Sequence, residues 1–150
     1  MLQIIETHRD NFTISTDPAR LDHDAIADML KRSYWANGRP RERLDRALAN
    51  SLVFGIYDGE KQIGLARVVS DYAIFAYLCD VFIHEDYREH GLGKWLMRTV
   101  HSHPDLQGLR RWALITRDAH GLYRQFGWTS LHDPESWMEI LVPFEGEGRD

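Results

Sequence analysis

Between Asp86 and Leu96 the chain reads DYREHGLGKWL, with glycines at 91 and 93, cations at 88 and 94 and an imidazole at 90. An apolar run ending at Ile83 precedes this stretch. Leu92, Trp95, Leu96, Thr99 and Val100 then fall at i, i+3, i+4, i+7 and i+8, the spacing of one face of a helix. The pattern predicts a strand, a short loop and a helix opening at the glycines. Such a junction aims the unpaired N–H groups of a first helical turn at one spot, which attracts anions. Gly91 and Gly93 let phosphate oxygens approach the main chain, and Arg88, His90 and Lys94 add charge from the rim. Helix-end electrostatics contribute only about 0.3–1 kcal/mol per charge, so several donors must act together, and a pyrophosphate meets that requirement. A second reading is purely conformational, with both glycines shaping a turn.

Two other phosphate loops fail on detail. A P-loop needs Gly five residues before its Gly-Lys pair and Ser or Thr after it, where this chain has Arg88 and Trp95. A dinucleotide fingerprint needs a third glycine where Leu96 stands. Cys79, the single cysteine, excludes an intrachain disulfide and reads as a small packed residue with no His-based activation pattern. His101 and His103 point apart on a helix and lack a third ligand, so no metal site is expected. Arg39, Arg41 and Arg43 read as a solvated basic run, or as recognition of an acidic group.

The elements that position these residues come next. With 150 residues, 43% of them hydrophobic, the chain is expected to form one domain with its own core, spanning about residues 11–142. A formal charge of −5 and a pI near 5.9 argue against general binding to nucleic acid or an anionic membrane. No apolar run approaches the roughly 18 residues of a membrane span, and a soluble cytoplasmic protein is expected. Strand signals fall at 11–16, 51–57, 62–70, 73–83, 111–116 and 137–142. Helix signals follow Asp22 (Ile26, Met29, Leu30, Ser33), follow Pro40 (Leu44, Ala47, Leu48), begin at Gly91 and end before Pro104, and cover 119–126. Asp58-Gly59 predicts a hairpin turn, and residues 145–150 are expected to fray. This alternation implies an α/β (α+β) fold with a mixed sheet flanked by helices.

Arg88-Glu89-His90-Gly91-Leu92-Gly93 resembles the acetyl-CoA loop, Arg/Gln-x-x-Gly-x-Gly/Ala, of the GNAT superfamily of N-acetyltransferases. Residues 81–87 resemble that family's preceding strand and approach loop. Ala119 through Trp128 (AHGLYRQFGW) resembles its Ala-x-x-Leu-Tyr-x-x-x-Gly-Phe segment, with Trp for the final Phe. The resemblance implies a strongly twisted, mainly antiparallel sheet splayed between its fourth and fifth strands, where the pantetheine arm of acetyl-CoA enters. Val81, Phe82 and Ile83 would pair with pantetheine amides. Arg88, Glu89, His90, Gly91, Leu92, Gly93 and Lys94 would hold the pyrophosphate. Thr116 stands where many relatives have a cofactor-contacting Asn.

Tyr123 resembles the family's acid beside the departing thiol, a role in which it either donates a proton or positions the sulfur. Residues 77–83 resemble the corresponding strand of diamine acetyltransferases, with Cys79 and Asp80 in place of a Glu-Asp pair. Asp80 is therefore the candidate for deprotonating or orienting the amine, with a structural hydrogen-bond role and His84 as alternatives. Tyr34, Trp35, Tyr72 and Tyr77 are candidates for the acceptor wall. The implied activity is acetyl-CoA-dependent acetylation of a primary amine, on a small molecule or exposed peptide, by direct attack in a ternary complex. A non-catalytic acyl-CoA-binding sensor is the alternative, and a homodimer is compatible with either.

Overall fold

The computed structural model describes residues 2–144; the tail 145–150 lies outside the described residues. A six-stranded sheet runs in chain order: β1 (Glu6–Arg9), β2 (Phe12–Ser15), β3 (Leu52–Asp58), β4 (Lys61–Ser70), β5 (Phe75–Ile83) and β6 (Arg111–Leu114). Neighbours pair antiparallel except β5 and β6, which are parallel. Among the described residues four α-helices accompany them: α1 (His23–Lys31), α2 (Arg41–Ala49), α3 (Leu92–Ser102) and α4 (His120–Arg124). Among the described residues no helix is long and apolar enough to cross a membrane.

The local signals act as their chemistry requires. The Asp22 carboxylate accepts the Ala25 N–H at 3.0 Å and starts α1. Gly59 turns between β3 and β4 with φ 59°. Two expectations need correction. The first strand is the second arm of a hairpin, because Asp10 (φ 55°) turns the chain and Glu6–Arg9 pairs with Phe12–Ser15. The β1 sequence ETHR hides its nature, since it buries no side chain fully and shows no alternation. At the other end Trp137–Val142 forms no strand, and Met138 and Ile140 are each 95% exposed. The strands counted fourth and fifth from the sequence are therefore β5 and β6.

Two cores lie on opposite faces of the sheet. One packs α3 (Leu92, Leu96, Val100) against Phe54, Ile56, Val68 and Leu78. The other packs α1 and α2 (Ile26, Leu30, Leu44, Leu48) against Val53, Leu65 and Phe82. Strand β5 serves both through a bulge. Leu65 opposes Phe82 while Arg67 opposes Cys79, so Ala66 faces both Asp80 and Val81. The extra residue reverses the side-chain phase. Ala76, Leu78, Val81 and Ile83 belong to the α3 side, whereas Phe82, four residues after Leu78, belongs to the other. Asp80 takes φ 52° to make this turn, a conformation Asp tolerates better than most residues.

Candidate active site

Pairing between β5 and β6 stops at Leu78–Leu114, but β5 continues to Ile83. The gap this leaves is a cleft of about 720 Å³, within the usual range for small-molecule sites. Val81, Phe82 and Ile83 line it, Gly91 through Lys94 form one wall, and Leu122 and Tyr123 contribute to another. The strand edge beyond Leu78 faces this gap with no β6 partner, so its outward backbone groups, apart from the Ile83 carbonyl that accepts from Arg88, remain available to a ligand.

The anion-binding wall begins in a tight turn. Glu89 (φ 69°) and Gly91 (φ 71°) both take left-handed backbone, and Gly91 caps α3. The first N–H of the helix to find a helical acceptor is that of Trp95, bonded to the Gly91 carbonyl at 3.2 Å. Those of Leu92, Gly93 and Lys94 precede it and have no intrahelical partner. A Cβ added at Gly93 would meet nothing within 4 Å, so no packing in the protein demands a glycine there. Gly93 lines the cleft, and what its missing side chain leaves open is space for a ligand. Arg88 also lines the cleft, but its Nε donates to the Ile83 carbonyl at 3.0 Å and fastens the loop to the end of β5. His90 is exposed and outside the cleft lining. Arg9, not singled out from the sequence, lies 5.8 Å over the Trp95 ring and 3.4 Å from where a Gly91 Cβ would be.

Tyr123 enters the cleft from α4 and is 8% exposed. Burial, reinforced by Tyr34 and Asp118, pushes its phenol up to about 12, so the hydroxyl keeps its proton at any physiological pH. Thr116 does not line the cleft; its Oγ1 accepts the Ala119 N–H at 3.0 Å, steadying the turn into α4. The Asn expected at that position from family resemblance is replaced here by a residue occupied locally.

Asp80 is fully buried in its side chain and held from three sides. Its Oδ1 accepts the Trp35 indole N–H at 2.9 Å and Arg39 Nη2 at 3.1 Å; its Oδ2 accepts Arg39 Nη1 and Arg67 Nε, each at 2.8 Å. Burial alone would raise the carboxyl, but Arg39 and Arg67 outweigh it and hold Asp80 below the ordinary carboxylate range. An anion with both oxygens engaged this way is a poor acceptor for an amine proton. Its geometric effect is to fix Trp35, whose ring packs 6.3 Å from Phe82 on the cleft floor. Arg39 read from sequence as part of a solvated run; Arg41 and Arg43 fit that reading, both exposed, with Arg41 pairing with Asp24 and Asp45, but Arg39 does not. Arg67 had no signal beyond being a cation in a strand.

The remaining candidates divide. Tyr34 and Trp35 line the cleft mouth, edge to face at 5.0 Å. The Tyr34 hydroxyl accepts the Arg117 N–H at 2.8 Å, and the Arg117 guanidinium lies 3.8 Å from its ring, which ties the α1–α2 turn to the β6–α4 loop across the opening. Tyr77 is half-buried beside the Arg67–Asp80 cluster and outside the cleft lining. Tyr72 sits in the β4–β5 turn, packed against the α3 core and away from the cleft. The Cys79 thiol is pushed up to about 11 by burial and donates to the Arg67 carbonyl, so it has no nucleophilic character. His84 caps the turn after β5, its Nδ1 accepting the Asp86 N–H.

The segment that follows α4 is anchored to α3 through His101. Its Nε2 accepts the Trp128 indole N–H at 3.0 Å, and Phe126 stacks on its ring. Burial lowers the pKa of His101. It also lowers that of His103, where Asp105 and the Gln3 carbonyl oppose the effect. Both rings therefore bind a proton less readily folded than unfolded. Their stabilisation is complete above the ordinary value of about 6.5 and is lost as pH falls through the lower folded values. Thermal unfolding from about pH 7 to pH 5 should show falling stability, and His101→Phe should remove its share of that slope.

Comparison with known proteins agrees with this geometry. A family model for the acetyltransferase (GNAT) domain matches residues 49–130. An uncharacterised ycf52-like N-acetyltransferase of Prochlorococcus marinus is 33% identical over 127 residues, covering 80% of this chain and 70% of that one. The Gibberella zeae protein FG08082 is 33% identical over 138 residues, 77% of each chain. A Xanthomonas campestris pv. campestris protein assigned to the GNAT family superposes with a TM-score of 0.85 at 47% identity, over 88% of this chain and 94% of that one. An Elizabethkingia anophelis GNAT acetyltransferase, solved with acetyl-CoA bound, shares the fold at a TM-score of 0.64 and 15% identity, over 90% of each chain. On the matched family model and the aligned relatives, this chain belongs to the GNAT superfamily of N-acetyltransferases and is an acyltransferase.

Proposed function

We propose that the protein transfers an acetyl group from acetyl-CoA to a primary amine, on a small molecule or an exposed peptide, by direct attack in a ternary complex. The observation that carries this reading is the meeting of three features in one cleft. These are an unpaired strand edge at Val81–Ile83, an intrahelically unpaired set of N–H groups at Leu92–Lys94, and a protonated phenol at Tyr123.

Acetyl-CoA supplies an acetyl thioester. The strand edge suits the amides of its pantetheine arm, and the helix start, with the open space at Gly93, suits its pyrophosphate. In the transfer the amine nitrogen bonds to the acetyl carbon and the carbon–sulfur bond breaks. The sulfur leaves with the electron pair, and the nitrogen gives up a proton. Tyr123 serves the sulfur as a hydrogen-bond donor. A thiol ordinarily ionises near 8.5, so complete proton transfer from a phenol at about 12 would run uphill by roughly three pH units, whereas a hydrogen bond to the developing thiolate meets no such barrier. Tyr34 and Trp35 form the acceptor wall, and Asp80 is a positioning residue acting through Trp35. The amine's proton leaves to water at the cleft mouth.

Tyr123→Phe is expected to retain acetyl-CoA affinity and to lower kcat by at least about tenfold, below the ~10²–10⁴-fold range of full general-acid catalysis because Tyr123 gives the sulfur a hydrogen bond and keeps its proton. The assay follows release of the CoA thiol over a panel of primary amines, with calorimetry for binding. Equal turnover by both proteins would remove Tyr123 from the mechanism. Acetyl-CoA binding without turnover by the wild type on any amine would leave an acyl-CoA sensor as the function.

A further inference from the structure

Tyr123 lines the cleft, and Trp128, which does not, packs against its ring. The two ring centroids lie 6.0 Å apart at 60°, the separation of an attractive aromatic pair. Gly127, at φ 91°, turns the chain back after α4, and the Trp128 N–H donates to the Tyr123 carbonyl at 3.3 Å. Backbone and side chain of Trp128 thus both bear on the residue assigned to the sulfur.

Trp128 is itself set by one acceptor. Its indole N–H donates to His101 Nε2 at 3.0 Å, which requires that nitrogen to be unprotonated and the imidazole proton to sit on Nδ1. The His101 ring lies among those of Trp112, Phe126 and Trp128, at 4.9, 6.2 and 5.8 Å. These rings are what β6 and the segment after α4 present to it. On its own helix the exposed Arg98 stands one turn earlier. His103, two residues later, faces the Phe54 ring and the Gln3 carbonyl, with Asp105 beside it. His101 is half-buried rather than sealed, and burial alone makes it bind a proton less readily than usual.

From this chain of contacts we infer that His101 is a positioning residue for acetyl transfer, holding Tyr123 in place through Trp128, and that protonation of His101 releases it. An imidazolium carries an N–H at both nitrogens, so Nε2 and the indole N–H become two donors facing each other and the bond is lost. Trp128 then turns toward another acceptor, and Tyr123 loses the ring packed against it. The inference rests on the acetyl-transfer reading of the cleft, and it adds a loss of turnover in acid that arises in the enzyme rather than in the amine.

The test uses the full chain and a primary amine that the wild type acetylates. At about pH 8, His101→Phe keeps a ring in the stack but offers no acceptor; it should lower kcat by about three- to tenfold with KM for acetyl-CoA unchanged. His101→Gln, whose amide oxygen reaches roughly the place of Nε2 and takes up no proton, should recover most of that loss. The ratio of wild-type to His101→Gln kcat should then fall as pH drops below about 6.5, each protein being measured where its melting curve shows it folded. In the Tyr123→Phe background His101→Phe should have no further effect. A merely structural histidine would lower kcat by the same factor in both backgrounds, and that result would overturn the inference, as would identical pH profiles for wild type and His101→Gln. Should His101→Phe fail to fold, Trp128→Phe removes the donor instead and should abolish the same pH dependence. A readout independent of turnover is the NMR signal of the Tyr123 ring, which should move with the titration of His101 in the wild type and stay fixed in His101→Gln. A Tyr123 signal that does not follow His101 would overturn the inference alone. A signal that follows it in a protein acetylating no amine would instead retire the acetyl-transfer reading and leave the coupling of His101 to Tyr123 standing.

Discussion

Asp80→Asn is expected to destabilise the fold by about 3–5 kcal/mol, roughly 10 °C or more in Tm for a chain of this size. Asparagine keeps the shape and one acceptor oxygen, but it removes the only charge opposing Arg39 and Arg67 in this cluster, whose side chains are 15% and 13% exposed. Two nearly buried guanidiniums then face each other without an anion, and that uncompensated charge dominates the loss. Arg39→Gln in the Asp80→Asn background should accordingly cost much less than in the wild type, a coupling that a double-mutant cycle reads directly. The folded carboxyl binds its proton less readily than the unfolded one, so the stability from Asp80 is present above about pH 4 and is lost as pH falls through its folded value. For activity, the ratio of kcat/KM between variant and wild type should stay constant from about pH 6 to pH 10, measured where both are folded. A ratio that recovers toward one at high pH would restore Asp80 as the acceptor of the amine's proton.

Gly93→Val should leave the fold intact and abolish useful affinity for acetyl-CoA, by about a hundredfold or more. The position has ordinary backbone torsions and room for a side chain, and valine is slightly better than glycine in a helix, so Tm should hold or rise. The added methyl groups enter the cleft in front of the first-turn N–H groups. Losing two hydrogen bonds to a charged phosphate at about 1.5–3 kcal/mol each accounts for the size of the effect. Gly91 is the less informative site, because at φ 71° any side chain strains the loop regardless of ligand. Calorimetry with acetyl-CoA, paired with a melting curve, checks both halves; unchanged affinity in a folded Gly93→Val protein would move the pyrophosphate away from this wall.

What could be read beforehand depended on how local its cause was. The loop at 88–93 was legible because glycine spacing and helical periodicity are both properties of one short stretch. The start of α1 was legible for the same reason, since Asp22 and Ala25 are three residues apart. Strand β1 was not, because a hairpin arm that faces solvent needs no apolar alternation. The bulge in β5 was hidden too. Its nine residues alternate buried and partly exposed without interruption, although the face being buried changes at Asp80. The role of Asp80 was the largest gap in the site: a lone carboxylate in an apolar strand announces either chemistry or a buried ion pair, and its cations lie 41 and 13 positions away. Only the fold brings them together. Tyr72 shows the converse error, an aromatic near the right strand in sequence and at the wrong end of it in space.

The reversal of phase in β5 has an evolutionary consequence. Because one strand sends its side chains first to the α3 layer and then also to the α1–α2 layer, the elements assigned to the coenzyme and those assigned to the acceptor rest on separate hydrophobic foundations. Substitutions that remodel α1, α2 and their connecting turn fall on the layer of Phe82 and Leu65, leaving Leu78, Val81 and the packing of α3 undisturbed. On the proposed assignment, lineages of this chain are free to exchange one acceptor for another by mutation in residues 23–49 other than Trp35 and Arg39, which hold Asp80, while inheriting the coenzyme cradle unchanged.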